Sequence, residues 1–119
     1  MKIVRVVNQS RETILCGKCE VADNIFTRVR GLLGRRTLEA GEGLLIVPCP
    51  SIHMFGMKFS IDVLFLTHDN IVTDFVESIA PGKYYLAKSN HGKAHSALEL
   101  PCGTIASNCT QRGDLLVIE

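Results

Sequence analysis

Between Cys49 and Leu66 the chain reads Cys-Pro-Ser-Ile-His-Met-Phe-Gly-Met-Lys-Phe-Ser-Ile-Asp-Val-Leu-Phe-Leu, so thiol, imidazole, thioether and carboxylate groups are set into an apolar strand. Alternation along the pleat puts Met57, Phe59, Ile61, Val63 and Phe65 on one side and Lys58, Ser60, Asp62, Leu64 and Leu66 on the other. The two leucines imply that the second side is also partly covered, which leaves Asp62 in apolar surroundings. A buried ionised carboxylate needs a cation or several hydrogen-bond donors, and without them its pKa rises until it is neutral. Two roles are open for Asp62: a framework group that holds a turn or pairs with an arginine, and a group facing a ligand. They differ in the effect of Asp62→Asn. Stranding a buried partner lowers stability strongly, whereas charge removal at a site built for an absent ligand leaves stability unchanged or raised.

Glu99, between Leu98 and Leu100, is a second acidic residue in an apolar sequence; His95 and Ala97 share its strand face. Arg28 and Arg35 are its candidate charge partners. Cys49 with His53 suggests a nucleophile and its base. In an extended strand their separation is ~13 Å at ~3.3 Å per residue, against the ~3.2 Å that a dyad needs. Only a folded-back loop would join them, and Pro48, Pro50 and Gly56 permit one. Cys49, His53, Met54 and Met57 also form a soft donor set of the kind copper(I) prefers, at a spacing that matches no closed metal site. Methionine beside phenylalanine equally fills a core. Cys16-Gly-Lys-Cys19 stands without a second C-x-x-C, so zinc would need Cys102 and Cys109 brought to it. A redox pair wants its first cysteine at a helix N-terminus, yet this segment reads as strand. His91-Gly-Lys-Ala-His95 has the spacing of a helical metal pair in a composition that reads as loop. No metal or cofactor is therefore expected.

Arg28, Arg30, Arg35 and Arg36 concentrate positive charge with no interleaved aromatic platform, and a solvated face explains them as well as RNA does. Thirteen basic against twelve acidic residues give a net charge of +1, so no overall field draws the chain to nucleic acid or an anionic membrane. Walker, G-x-G-x-x-G and G-x-S-x-G patterns are absent from the sequence. The first residues lack the pattern of a signal peptide, and no apolar run approaches a membrane span. With five cysteines and no export signal, a cytoplasmic protein with reduced thiols is expected.

The elements that must position these groups are short. With 119 residues, 46% hydrophobic and 21% charged, the chain makes a single domain, residues 1–119. Strands are expected over 3–7, 13–21, 43–47, 59–67, 71–77, 94–100 and 115–118, with 84–86 short strand or irregular. Pro48 and Pro50 close the third strand, and a loop runs from His53 to Gly56. Asp69-Asn70 makes the clearest hairpin turn. The main helix follows Asp23 as N-cap, with Ile25, Phe26, Val29, Leu32 and Leu33 at helical spacing, Gly31 inside it and Gly34 at its stop. Residues 103–109 hold one further helical turn.

Several blocks occur in order: Arg28-Val-Arg-Gly31-Leu-Leu-Gly-Arg35, Leu38, Gly43-Leu-Leu, Pro48 to Met57, Ile61-Asp-Val-Leu-Phe65, Leu98-Glu-Leu-Pro-Cys-Gly103 and Gly113-Asp114. Over roughly residues 20 to 119 the chain resembles the bacterial and archaeal family called domain of unknown function 192. It departs from the family pattern at Leu33, Cys102 and Asn70, where Met, Ala and Gly are usual. The resemblance implies a compact, mostly β domain with one helix near its start and carries over no catalytic residues. It assigns no role to Cys16 and Cys19.

The expected fold is thus mainly β: a small sandwich, jelly-roll-like or barrel-like domain with one helix in its N-terminal half. The expected function is the binding of a small molecule or peptide where His53, Met57, Asp62 and Glu99 converge, with Arg28 and Arg35 as charge partners. A hydrolase-like enzyme using the carboxylates and His53 as acid and base is the first alternative, and a structural or protein-interaction module is the second. Neither nucleic acid nor membrane is expected as a partner, and the chain would be a monomer or weak homodimer.

Overall fold

A computed structural model of the protein describes residues 2–49 and 51–119, the side chains at 25, 26 and 29 excepted. The expected role of Pro50 in closing a strand, and the helical spacing of Ile25, Phe26 and Val29, therefore lie outside the described residues. Within them the order is β1 (Ile3–Asn8), β2 (Thr13–Ala22), α1 (Ile25–Arg30), β3 (Glu42–Ile46), β4 (Ser51–His53), β5 (Ile61–Leu66), β6 (Val72–Ile79), β7 (Tyr84–Leu86), β8 (Ser96–Pro101), α2 (Thr104–Ser107) and β9 (Leu116–Ile118). One sheet takes the order β6-β5-β8-β3-β2-β1-β9, and β4 pairs with β7 in a separate ribbon. At one end the sheet's two edges meet: Ile71 bridges to Leu115, and the Leu116 N–H donates to the Asn70 carbonyl at 2.9 Å. The fold is thus a mainly β, curled half-barrel, in which each edge gains partners from the other.

Bulges supply the curl. Val4 pairs with Cys19 and Val6 with Cys16, so Gly17 and Lys18 together oppose Arg5. Residues three apart on a regular strand point to opposite faces; this bulge turns both cysteines into the core.

Each face of the sheet has its own core. Inside the curl, Leu64, Leu66, Leu98 and Leu100 pack with Val6, Cys16, Cys19 and Leu116. On the outer face, Ile61, Val63 and Phe65 pack with Leu44, Ile46, Ile52 and Met54. β5 is consequently buried on both sides, as its mixed apolar faces imply. Each such aliphatic or aromatic side chain contributes about 1.5–3 kcal/mol by its burial. Met57 and Phe59 are only half-buried and precede the strand, which begins at Ile61.

What covers the outer face follows from topology. β2 and β3 are parallel, so the chain between them must cross over the sheet. That crossover contains α1 and places Leu32 and Leu38 in the outer core. Asn24, rather than Asp23, caps the helix: its side chain accepts from the Thr27 N–H at 3.0 Å, and Thr27 Oγ1 accepts from the Asn24 N–H at 3.4 Å. The helix ends at Gly31, whose φ of 48° suits glycine, and not at Gly34. The β4–β7 ribbon completes the cover. Its Tyr85 stacks on Phe65 with ring centroids 5.7 Å apart and donates its hydroxyl to Asp74 at 2.7 Å. Among the described residues no helix is long and apolar enough to cross a membrane.

Candidate functional site

β8 runs between β3 and β5, with Glu99 opposite Leu44 on one side and Val63 on the other. Glu99 therefore points to the outer face, while its neighbours Leu98 and Leu100 point inward. It is only 5% exposed. Among the described residues its carboxyl has no hydrogen-bond or ion-pair partner, and burial alone pushes its pKa up to about 8.

Above Glu99 is a cleft of about 370 Å³. One wall is the end of α1 and the turn after it, with Arg28, Arg30 and Leu33; the other is the chain leading into β4, with Cys49, Ser51 and His53. Ile46, Ile52 and Met57 provide apolar lining. His53 is exposed at the mouth and stacks on Phe55 at 5.4 Å between centroids. Arg28 Nε is buried without a hydrogen-bond partner among the described residues. Cys49 donates to the Ser51 carbonyl at 2.8 Å. Burial pushes the Cys49 thiol up to about 11; the Glu99 charge adds to this and the Arg28 charge opposes it. A thiol so rarely ionised at neutral pH is a poor nucleophile, which argues against the Cys49 and His53 dyad.

The structure brings Arg28, His53, Met57 and Glu99 to this one cleft, and it places Asp62 and Arg35 elsewhere. Asp62 is opposite Leu100, on the inner face, and fully buried. Its Oδ1 accepts from the Ser78 N–H at 2.8 Å, and its Oδ2 accepts from the N–H groups of Gly103 at 3.0 Å and Ile105 at 3.1 Å. Ser78 lies in the β5–β6 irregularity, and the other two donors are at the start of α2. Asp62 thus ties a bulge to a helix end. Arg35 pairs with Glu42 at 3.1 Å, which fixes the loop after α1 to β3.

The remaining cysteines and histidines are dispersed. Cys16 and Cys19 both lie in the inner core, where Cys16 donates to the Gly41 carbonyl at 3.4 Å and Cys19 to the Glu20 carbonyl at 3.5 Å; each perturbs the other, which holds Cys16 down and, with burial, pushes Cys19 up. Cys102 and Cys109 are exposed on either side of α2. Met54 faces the outer core while adjacent His53 faces solvent, so the soft donor set is divided. His95 meets His68 edge-on, with centroids 5.0 Å apart, and His91 lies against Gly113. Two larger hollows, of about 420 and 610 Å³, flank α2. Their buried lining is Ile105 and Leu15, with Thr110, whose hydroxyl accepts from Asn8. Sequence reasoning did not single out Ser51, Leu33 and Phe55 as cleft residues. The alternation of exposed Ser51, buried Ile52 and exposed His53 was the available signal.

Comparison with known proteins fits this architecture. The chain matches the family described as Uncharacterized ACR, domain of unknown function 192, over residues 5–118. It belongs to that family. A UPF0127 protein of Thermococcus sibiricus is 33% identical over 115 residues, covering 92% of this chain and 71% of the relative. A UPF0127 protein of Pyrococcus abyssi is 34% identical over 104 residues, covering 82% of this chain and 83% of the relative. The fold is shared with a protein of unknown function from Novosphingobium aromaticivorans, with a TM-score of 0.78 at 21% identity, covering 97% of this chain and 83% of that one. The resemblance drawn from the ordered blocks is thereby shown, and this family has bacterial and archaeal members.

Proposed function

We propose that this member of the family is a small-ligand-binding domain whose site is the cleft over Glu99. One observation carries the reading: a carboxyl that is nine-tenths buried, without a partner among the described residues, facing an open concavity. Such a group is costly to the fold, because desolvation is not offset by any hydrogen bond among the described residues. The volume of about 370 Å³ falls at the lower end of the ~300–1,000 Å³ typical of small-molecule sites. Apolar walls with a few converging polar groups complete that pattern. Asp62 and Arg35 take no part in it.

The test is a fragment screen monitored by amide chemical shifts of the whole chain. Hits should move the resonances of residues 28–33, 51–53 and 99 and should lose affinity in Glu99→Gln. A screen whose hits all fall outside these segments would sink the proposal.

A further inference from the structure

We infer that the cleft is built for an ampholytic ligand: an amine-bearing group meets Glu99 at the floor, an anionic group meets Arg28 and Arg30 on the wall, and an apolar stem joins them. The inference rests on the ligand-site reading above and adds the class of compound. Two buried polar groups in one cleft lack partners among the described residues, and they are of opposite kind. The Glu99 carboxyl, once ionised, accepts only; Arg28 Nε–H donates only. They do not satisfy one another. No ion pair joins them, and Glu99 shows no influence of the guanidinium. Cys49, in contrast, lines the same cleft and feels the charge of both. A simple anion would satisfy the arginine end and leave Glu99 desolvated. A simple cation would do the reverse. Ile46, Ile52 and Met57 offer the stem an apolar path between them. Among the described residues no cluster of three or more histidine, cysteine or acidic side chains could hold a metal ion, so an organic cation is the better match for a lone carboxylate.

The test uses the whole chain and three probes of one length: ε-aminohexanoate, hexanoate and hexylamine, titrated at constant ionic strength near neutral pH and followed by amide shifts. The shorter aminobutanoate and longer aminooctanoate serve to find the best span. The best aminoalkanoate should bind in the cleft at least about tenfold more tightly than either single-ended analogue of its length, a difference of about 1.4 kcal/mol. Glu99→Gln should remove its advantage over the carboxylate, and Arg28→Gln its advantage over the amine. If a single-ended analogue binds the cleft as tightly, the ampholyte inference is overturned while the site reading stands. If no probe moves the cleft resonances, the inference is overturned as well, and the fragment screen alone then decides the site. The wild-type comparison remains decisive even where a variant fails to fold.

Discussion

Asp62 and Glu99 are on adjacent strands and face opposite sides of the sheet: Asp62 is opposite Leu100 within the curl, and Glu99 is opposite Val63 on the outer face. One carboxylate is surrounded by three backbone donors and the other by none among the described residues. The same residue class therefore serves two purposes a few ångströms apart, and substitutions at the two positions should act in opposite directions.

Glu99 governs the response to alkali. Its folded pKa of about 8 lies above the ordinary 4.5, so the folded state holds the proton longer than the unfolded state. Stability should fall as pH rises from 4.5 towards 8. Glu99→Gln should abolish that slope and raise stability at the upper end by on the order of 2–4 kcal/mol. Thermal unfolding across this range checks it; a wild-type midpoint that stays level would mean that Glu99 has a partner.

Acid should act through other carboxylates. Burial would raise Asp74, but the Lys88 N–H, the Tyr85 hydroxyl and Arg112 hold it below its usual range. Asp114 is held down against burial by Arg11, Asn8 and the Gln111 N–H. Their contribution is present above the unfolded aspartate value of 3.8 and disappears as pH falls through their lowered values. The melting temperature should therefore peak at about pH 5, and Glu99→Gln should broaden the peak towards neutrality. A wild-type maximum above neutral pH would contradict this assignment.

Asp62→Asn should destabilise. Its amide nitrogen would either face the N–H groups of Gly103 and Ile105 or face that of Ser78, donor against donor. A loss of about 2–4 kcal/mol follows, measurable by denaturant unfolding. A negligible change would return Asp62 to the list of ligand-facing groups.

Tyr85→Phe tests how the cleft wall is held. Loss of the hydroxyl bond to Asp74 should lower stability by about 1–3 kcal/mol. Amide exchange should accelerate more in β4 and β7 than in β8, because the ribbon strands pair with each other and with no strand of the large sheet. Uniform acceleration would show that the ribbon does not open separately.

Gly43 is closed to any larger residue. A Cβ there would stand 2.8 Å from Cys16 Sγ, 3.1 Å from the Glu99 carbonyl oxygen and 3.2 Å from Leu100 Cδ2. Gly43→Ala should lower stability by about 1–3 kcal/mol. Since Cys16→Ala removes the tightest contact, the double variant should lose less than the sum of the two; strict additivity would place the strain elsewhere.

Much of this fold was legible in local sequence. The alternation from Ile61 to Leu66 gave both buried faces of β5, and Asn70, with φ at 65°, occupies the left-handed turn expected of it. Helix bounds were less legible, because Asp23 and Asn24 are both good caps and either Gly31 or Gly34 can end a helix. β4 carries too little periodicity in three residues to be legible, and its last residue, His53, falls in the segment expected as loop; the strand exists through pairing with β7. The separation of Asp62 from Glu99 depends on register across β5 and β8, a long-range quantity invisible in either segment alone. The choice of Glu42 as partner of Arg35 likewise depends on how the crossover loop returns to β3.

The pairing of β1 with β9 bears on how the chain acquires its shape. Arg5 and Glu119 meet at 2.6 Å across a separation of 114 positions, so an early segment and a late one are neighbours in the sheet. During synthesis β1 is made before β9. The outer edge of β1 therefore has no native neighbour until translation has passed Ile118, and curl closure has to wait for β9. Contacts of such long span fold slowly and leave an unpaired strand open to wrong partners in the meantime. A nascent chain stalled before β9 should accordingly be the most aggregation-prone species of this protein.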